Sequence, residues 1–335
     1  MRAAILKGPG IISVEDMETP KAGNGEVVIK VSYCGICGSD LRRFLNAAPN
    51  TAEIGGHEFS GVIAEIGPGV KGWSVGQRVT PIPFAPCWQC YACTHGTPHL
   101  CRNAEYVGAN PNQPGGFAEF VRVKASQLYV TPHEIDDQEA ALAEPLAVSL
   151  RAVILSGITI GSSACIIGAG TIGLFTVQCA KLSGAGSIYV AQRSEPRATL
   201  ARQMGADMVI NPTKEDFLHA VLQKTVIGAD VSFECAGSSE AFQLAVKSVR
   251  SSGRVILVGI GGPAEFPTKD LVIREIEIKG SMVYWNEFNE SLELLRLHKI
   301  NTKGIVTEIV PLQDIQAAFT NLLNSRKQIK ILVAH

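Results

Sequence analysis

The nine cysteines of this chain fall into distinct groups, and two groups have spacings that suit metal. Cys87, Cys90, Cys93 and Cys101 form a C-x2-C-x2-C-x7-C array. Four thiolates so close in sequence suit a closed tetrahedral zinc held for structure alone. The second group is dispersed: Cys37 in "CGICGSD", then His57 and Glu58 in "GGHEFSG". One sulfur, one imidazole and nearby carboxylates suit an open zinc that still admits a substrate oxygen. The compact array has alternatives. A bacterial-type iron–sulfur run closes with a three-residue gap and a proline, whereas here the gap is seven residues and Arg102 follows. A zinc ribbon that reads nucleic acid needs a basic face, which this lobe lacks. Structural zinc is the expected occupant. Cys34, Cys165, Cys179 and Cys235 lie in apolar surroundings and read as small core residues.

A third chemical feature is "IIGAGTIG", which gives Gly168-x-Gly170-x-x-Gly173 after an apolar strand and before a helix. The first glycine permits the tight turn, the second lets backbone approach a pyrophosphate, and the third allows close helix–sheet packing. Helix amides then face the anion. Glycine-rich turns are common in any α/β protein, so the weight rests on the strand–loop–helix context.

About twenty residues beyond the glycines, an NAD-binding fold places Asp or Glu to hold the ribose hydroxyls. Here the segment is "YVAQRSEPR": Gln192 at the acidic position, then Arg193, Ser194 and Arg197. No carboxylate there repels a 2'-phosphate, and a guanidinium and a hydroxyl are available to bind one. This favours NADP(H). The other reading leaves Arg193 and Arg197 solvated at a helix start and gives the ribose to Glu195.

The elements that must position these groups divide the chain. Up to about residue 148, short β-branched runs bounded by glycine or proline predict strands: "GEVVIKVSYCG", "SGVIAEIG", "QRVTPI" and "GFAEFVRV". From Ser163 strands and helices alternate, with "SSEAFQLAVKSVRSSG" among the helical segments, which argues a parallel sheet covered on both faces. The tail has helical spacing from "NEFNESLELLRLHKI" and ends in the apolar "QIKILVAH". The expected domains are 1–148, β-rich with the cysteine lobe; 149–285, nucleotide-binding; and 286–335, returning to the first. A chain of 335 residues exceeds one ordinary core. Its net charge of -1 provides no drive toward nucleic acid or membrane. "MRAAILKGPG" lacks the apolar run of a signal peptide, so a reducing cytoplasm is expected.

The motifs in this order resemble the zinc-dependent medium-chain dehydrogenase/reductase family, from end to end. They are "CGICGSD", "GGHEFSGVIAEIG", "VGQRV", the four-cysteine lobe, "GGFAEFV", "EPLAVSLRAV", "GAGTIG" and the closing "KILV". The likeness is greater to polyol-type members, including sorbitol, butanediol and galactitol-phosphate dehydrogenases, than to ethanol-type enzymes. It implies an α/β fold: a GroES-like β-rich catalytic domain plus a doubly wound Rossmann domain. It implies two zinc ions per chain, a nicotinamide coenzyme, a small alcohol or ketone substrate, and a homo-oligomer, tetramer or dimer. The preference for NADP(H) rests on Gln192 and Arg193 and departs from the NAD common in the family. The charge balance speaks for no nucleic-acid or membrane partner.

Residue by residue, the resemblance makes Cys37 and His57 fixed ligands of the catalytic zinc. It puts Glu144 of "AALAEPLAV" where ethanol-type enzymes have a second cysteine, as the third ligand. Glu58 approaches the metal intermittently, and Asp40 orients His57. Ser39 takes the alcohol proton, while Arg42 stands where ethanol-type enzymes carry the histidine that passes it on. The coenzyme contacts expected are Gly168, Gly170, Thr171, Ile172 and Gly173, then Gln192, Arg193, Ser194 and Arg197, then Val258, Gly259 and Lys330. Cys87, Cys90, Cys93 and Cys101 hold the structural zinc. Val283 replaces an arginine that many sorbitol dehydrogenases carry before Tyr284, and "CGSDLRRF" is similar to galactitol-phosphate relatives. Arg43 is therefore either a contact for an anionic or hydroxyl-rich substrate or, like Arg42, a solvated helix residue. A polyol is favoured. The alternatives are a sugar-alcohol phosphate enzyme and a relative that binds nucleotide without turnover.

Overall fold

The strand Glu26–Gly35 organises the first half of the protein. In the computed structural model, which describes residues 1–109, 113–265, 268–325 and 327–335, it is central in a seven-stranded sheet. One edge pairs antiparallel along its length with Glu58–Ile66. The other edge is shared: Phe120–Lys124 pairs with its first half, and Lys330–Ala334 with its last three residues. Val27, Val28, Ile29 and Val31 are buried, as β-branched residues in a strand covered on both edges should be. The aromatic pair Phe44–Phe319 packs in the same core.

Two compact units result. The first comprises Met1–Glu144, Phe288–Thr302 and Val306–His335; the second comprises Pro145–Glu287 and Lys303–Ile305. The C-terminal segment joins the first unit because its last strand completes that sheet.

The second unit holds a six-stranded parallel sheet in the order Met208–Ile210, Ser187–Ala191, Ser163–Ile167, Ala229–Glu234, Val249–Leu257, Glu277–Gly280. The strand order reverses beside Ser163–Ile167, so a crevice opens at the carboxyl ends of that strand and of Ala229–Glu234. The helix Thr171–Leu182 is buried continuously from Gly173 to Ala180, which explains its nearly unbroken apolar sequence. One segment departs from its sequence pattern. "SSEAFQLAVKSVRSSG" is helical only over Ser239–Ser248; Val249 already begins the fifth strand. A register shift opposite Ala229–Val231 absorbs the extra residues "RSSG", with Ser252 at φ 53°. Among the described residues, no helix is long and apolar enough to cross a membrane.

Candidate active site

In the first unit Cys37, His57 and Glu58 come together. Their ligand atoms all lie within 4.8 Å of one another. Cys37 is the N-cap of helix Gly38–Asn46, and its Sγ accepts the Ser39 amide at 3.5 Å. Asp40 returns the bond: its Oδ2 accepts the Cys37 amide at 2.9 Å. Its other oxygen, Oδ1, lies 3.6 Å from His57 Nδ1. A short capping motif thus fixes the sulfur and aims a carboxylate at the imidazole. Burial disfavours a charged imidazole, yet Asp40 and the Cys37 sulfur outweigh it and lift the His57 pKa well above its ordinary value. Ser39 sits half-buried in the first turn of the same helix.

Glu58 is placed by strand register, opposite Gly35. A Cβ at Gly35 would stand 2.3 Å from Glu58 Oε2, so only glycine lets the carboxylate fold back over its neighbour. This requirement is silent in the sequence, where Gly35 looks like a strand-end glycine. Oε2 accepts from Lys330 Nζ at 2.5 Å, and the same ammonium donates to Ile36 O at 2.9 Å. Lys330 is 3% exposed. Burial opposes its charge, but Glu58, Cys37 and Glu144 raise its pKa nonetheless. Lys330, expected among the coenzyme contacts, therefore has its ammonium engaged beside the Cys37 group in the first unit. Glu144 is buried in the first turn of helix Ala143–Ser156 and close enough to act on Lys330, but it lies outside the converging trio.

One consequence is measurable. Removing one partner of a buried ion pair leaves an uncompensated charge costing about 3–5 kcal/mol. Lys330→Met is expected to lower stability toward urea by that order in chelator-treated protein, and by less with zinc bound, since a cation on Glu58 replaces the ammonium. Equal losses with and without zinc would show that Glu58 does not face the metal.

Arg43 is engaged within the first unit rather than solvated. Its guanidinium donates to Gly108 O at 3.0 Å and to Ala109 O, and lies 3.8 Å from Glu53. Arg42 is exposed. Tyr284 is fully buried in the second unit.

The four cysteines of the array also converge within 4.8 Å, and none is in a disulfide. Cys90 Sγ lies 3.6 Å from Cys93 Sγ and from Cys101 Sγ. A tetrahedral zinc with Zn–S bonds of about 2.3 Å requires sulfur–sulfur edges of about 3.8 Å, so this set nearly matches. The Gln89 amide leads in holding the Cys87 thiol down to about 6, helped by the Cys90 amide and against burial. Burial and then the neighbouring sulfurs push Cys93 up to about 12. Four sulfurs at this spacing cannot all be anionic unaided; a divalent cation removes the conflict.

In the second unit, Gly168 takes φ 98°, and a Cβ on Gly173 would stand 1.9 Å from Gly168 O. Both glycines are required by the fold. A Cβ on Gly170 would meet nothing within 4 Å. Its bareness leaves room for a ligand, as a pyrophosphate cradle demands. Thr171 and Ile172 begin the helix that Gly170 caps. Across the crevice the amides of Val258 and Gly259 donate to Glu234 O, each at 2.9 Å. The Glu234 carboxylate accepts the Ala236 and Gly237 amides at 2.8 and 2.7 Å, a loop clasp that sequence reasoning missed, although an acidic strand end in "FECAG" was its signal.

At the end of the second strand, Gln192 Oε1 accepts the Ser194 amide at 3.2 Å, which commits the oxygen and leaves the side-chain NH2 as the donor end. Arg193 is exposed, Ser194 is buried, and Arg197 is half-buried. Ser194 and Arg197 are both engaged within the chain. Glu195 Oε1 lies 2.9 Å from Arg202 Nη1, further along its own helix.

Family models match both units: an alcohol dehydrogenase GroES-like domain over residues 23–133 and a zinc-binding dehydrogenase domain over residues 171–296. The chain is 33% identical to sorbitol dehydrogenase of Bacillus subtilis, over 99% of this chain and 97% of that protein. A putative zinc-binding dehydrogenase of Sinorhizobium meliloti, solved bound to NADP, superposes with TM-score 0.91 at 31% identity, covering 100% of this chain and 99% of that one. An alcohol dehydrogenase of Escherichia coli, solved with NADH, superposes with TM-score 0.92 at 28% identity, again over 100% and 99%. With both domain models matched in order and full-length relatives above 30% identity, the chain belongs to the zinc-dependent medium-chain dehydrogenase/reductase family of alcohol and polyol dehydrogenases.

Proposed function

We propose that this protein moves hydride between NADP(H) and a secondary alcohol or polyol and its ketone. The observation that carries the reading is the convergence of Cys37, His57 and Glu58 on one donor set of sulfur, nitrogen and carboxylate. A zinc held there supplies Lewis acidity toward a substrate oxygen. Cys37 and His57 hold the metal, and Asp40 fixes the imidazole. Glu58 is the third ligand in this reading and Glu144 the nearby carboxylate, the reverse of the order expected from the resemblance. Ser39, in the turn that Cys37 caps, takes the substrate proton. A relative that only bound nucleotide would need none of this arrangement.

The coenzyme is NADP(H) in this reading because Gln192 offers donors where a ribose-binding carboxylate would stand, and Arg193 is exposed beside it. Solved relatives hold either coenzyme, so local residues decide. A polyol is favoured over a sugar-alcohol phosphate, since Arg43 is tied to backbone carbonyls. A panel of alcohols, polyols and sugar-alcohol phosphates with both coenzymes tests the assignment. Highest kcat/KM on a phosphate ester would overturn the substrate class, and activity surviving complete zinc removal would overturn the mechanism.

The second zinc is proposed to sit among Cys87, Cys90, Cys93 and Cys101. Cys93→Ser is expected to release one of two zinc ions and to lower Tm by about 5–10 °C, with activity lost only as the fold loosens. Metal analysis finding one zinc in a fully active wild-type chain would count against it. The protein is further proposed to be a homo-oligomer, dimer or tetramer, which sedimentation decides.

A further inference from the structure

Arg193 is the exposed cation on which the coenzyme reading depends, and it lies between strand Ser187–Ala191 and helix Glu195–Gln203. A flexible side chain discriminates between ligands only as well as its backbone is held. Two ties hold this segment to the end of strand Met208–Ile210. The Gln192 amide donates to Ile210 O at 2.8 Å. Asn211 Nδ2 donates to Arg193 O at 3.2 Å.

Asn211 is itself fixed. Its Oδ1 accepts the Thr213 amide at 3.0 Å and the Thr213 hydroxyl at 2.8 Å. Its backbone carbonyl accepts the amides of Lys214 and Glu215, each at 3.0 Å. With the amide oxygen held by Thr213, the NH2 end is turned toward Arg193. The same turn carries Lys214, exposed on its outer side. The neighbouring anions on this surface are Glu195, paired with Arg202, and Glu240, exposed in the first turn of helix Ser239–Ser248. Glu240 lies near enough to feel the Arg193 charge.

We propose that Asn211 is a positioning residue for coenzyme choice. By tying the Arg193 carbonyl to the turn after strand Met208–Ile210, it holds the guanidinium ready for the 2'-phosphate of NADP(H). Asn211 touches neither the phosphate nor the reacting atoms and acts through Arg193. The inference rests on the NADP(H) reading above.

The test is calorimetric titration of the zinc-loaded enzyme with NADPH and with NADH, without substrate. Asn211→Ala is expected to lower the ratio Kd(NADH)/Kd(NADPH) about threefold to tenfold, the range of one hydrogen bond, with NADH affinity kept within about twofold. Asn211→Asp keeps the oxygen that Thr213 needs and removes the donor, and should lower the ratio at least as far. Thr213→Val removes the hydroxyl's bond to Asn211 Oδ1 but keeps the Thr213 amide that orients the side chain. The tie to Arg193 then stays, and the ratio should remain within about twofold of wild type. Equal weakening of both coenzymes in both Asn211 variants, or a ratio lost as fully in Thr213→Val, would overturn the proposal. Wild-type preference for NADH would overturn the NADP(H) reading and this inference with it. Wild-type preference for NADPH that survives both Asn211 changes would overturn this inference alone.

Discussion

Cys37→Ala is expected to lower kcat on the best substrate by about a thousandfold or more, while leaving coenzyme binding intact. Cys37 supplies one of three converging ligand atoms and caps the helix that carries Ser39 and Asp40. Alanine removes the sulfur but retains the backbone amide that binds Asp40, so the helix start should survive. What goes is metal retention, and with it Lewis acidity worth several kcal/mol; each 1.36 kcal/mol is a factor of ten in rate. The coenzyme cradle belongs to the other unit, so NADPH titration should give a near wild-type Kd. Metal analysis should find the cysteine-array zinc alone. Near-normal turnover by the variant in chelator-treated buffer would show that this site is not where the reaction occurs.

Gln192→Asp combined with Arg193→Ala is expected to invert coenzyme preference. The aspartate would stand at the strand end where a carboxylate accepts ribose hydroxyls and repels a 2'-phosphate. Loss of the guanidinium removes a charge-assisted phosphate contact of about 1.5–3 kcal/mol, equivalent to about tenfold to a hundredfold in affinity. Both positions lie at the surface end of the second strand, and Arg193 is exposed, so the change should leave Tm nearly unaltered. The measurement is kcat/KM for NADPH and NADH with one ketone, in wild type and variant. Higher kcat/KM with NADH in the unmodified enzyme would sink the assignment at once.

Fold class was legible because its signals are local. Alternation of strands and helices from Ser163, with a glycine loop between the first such pair, implies a covered parallel sheet, and the six parallel strands bear that out. The misread boundary, "SSEAFQLAVKSVRSSG", fails where a strand irregularity takes up residues whose composition carries no helix-stop signal before Gly253. Gly35 and Asn211 were missed for a related reason. Their roles depend on a neighbour across a strand or beyond a crossover, and nothing adjacent in sequence marks them.

The sequence by itself determined the chemistry that short-range spacing can encode. Four sulfurs in one short loop must meet, and a Gly168–Gly173 loop must leave bare backbone. Only the tertiary structure decided how closely Cys37, His57 and Glu58 converge and which distant group joins them at the candidate site. Cys37 leaves one strand just past Gly35, Glu58 opens the next, and Lys330 opens the strand on the other side. Lys330 is 272 residues from Glu58 and 294 from Ile36. Sheet register sets those meetings, and a one-residue slip would turn each side chain to the opposite face. Thus strand pairing brought Glu58 into the converging trio and bound Lys330 to it, while the packing of helix Gly38–Asn46 beside the turn at Gly108 and Ala109 engaged Arg43 with backbone carbonyls.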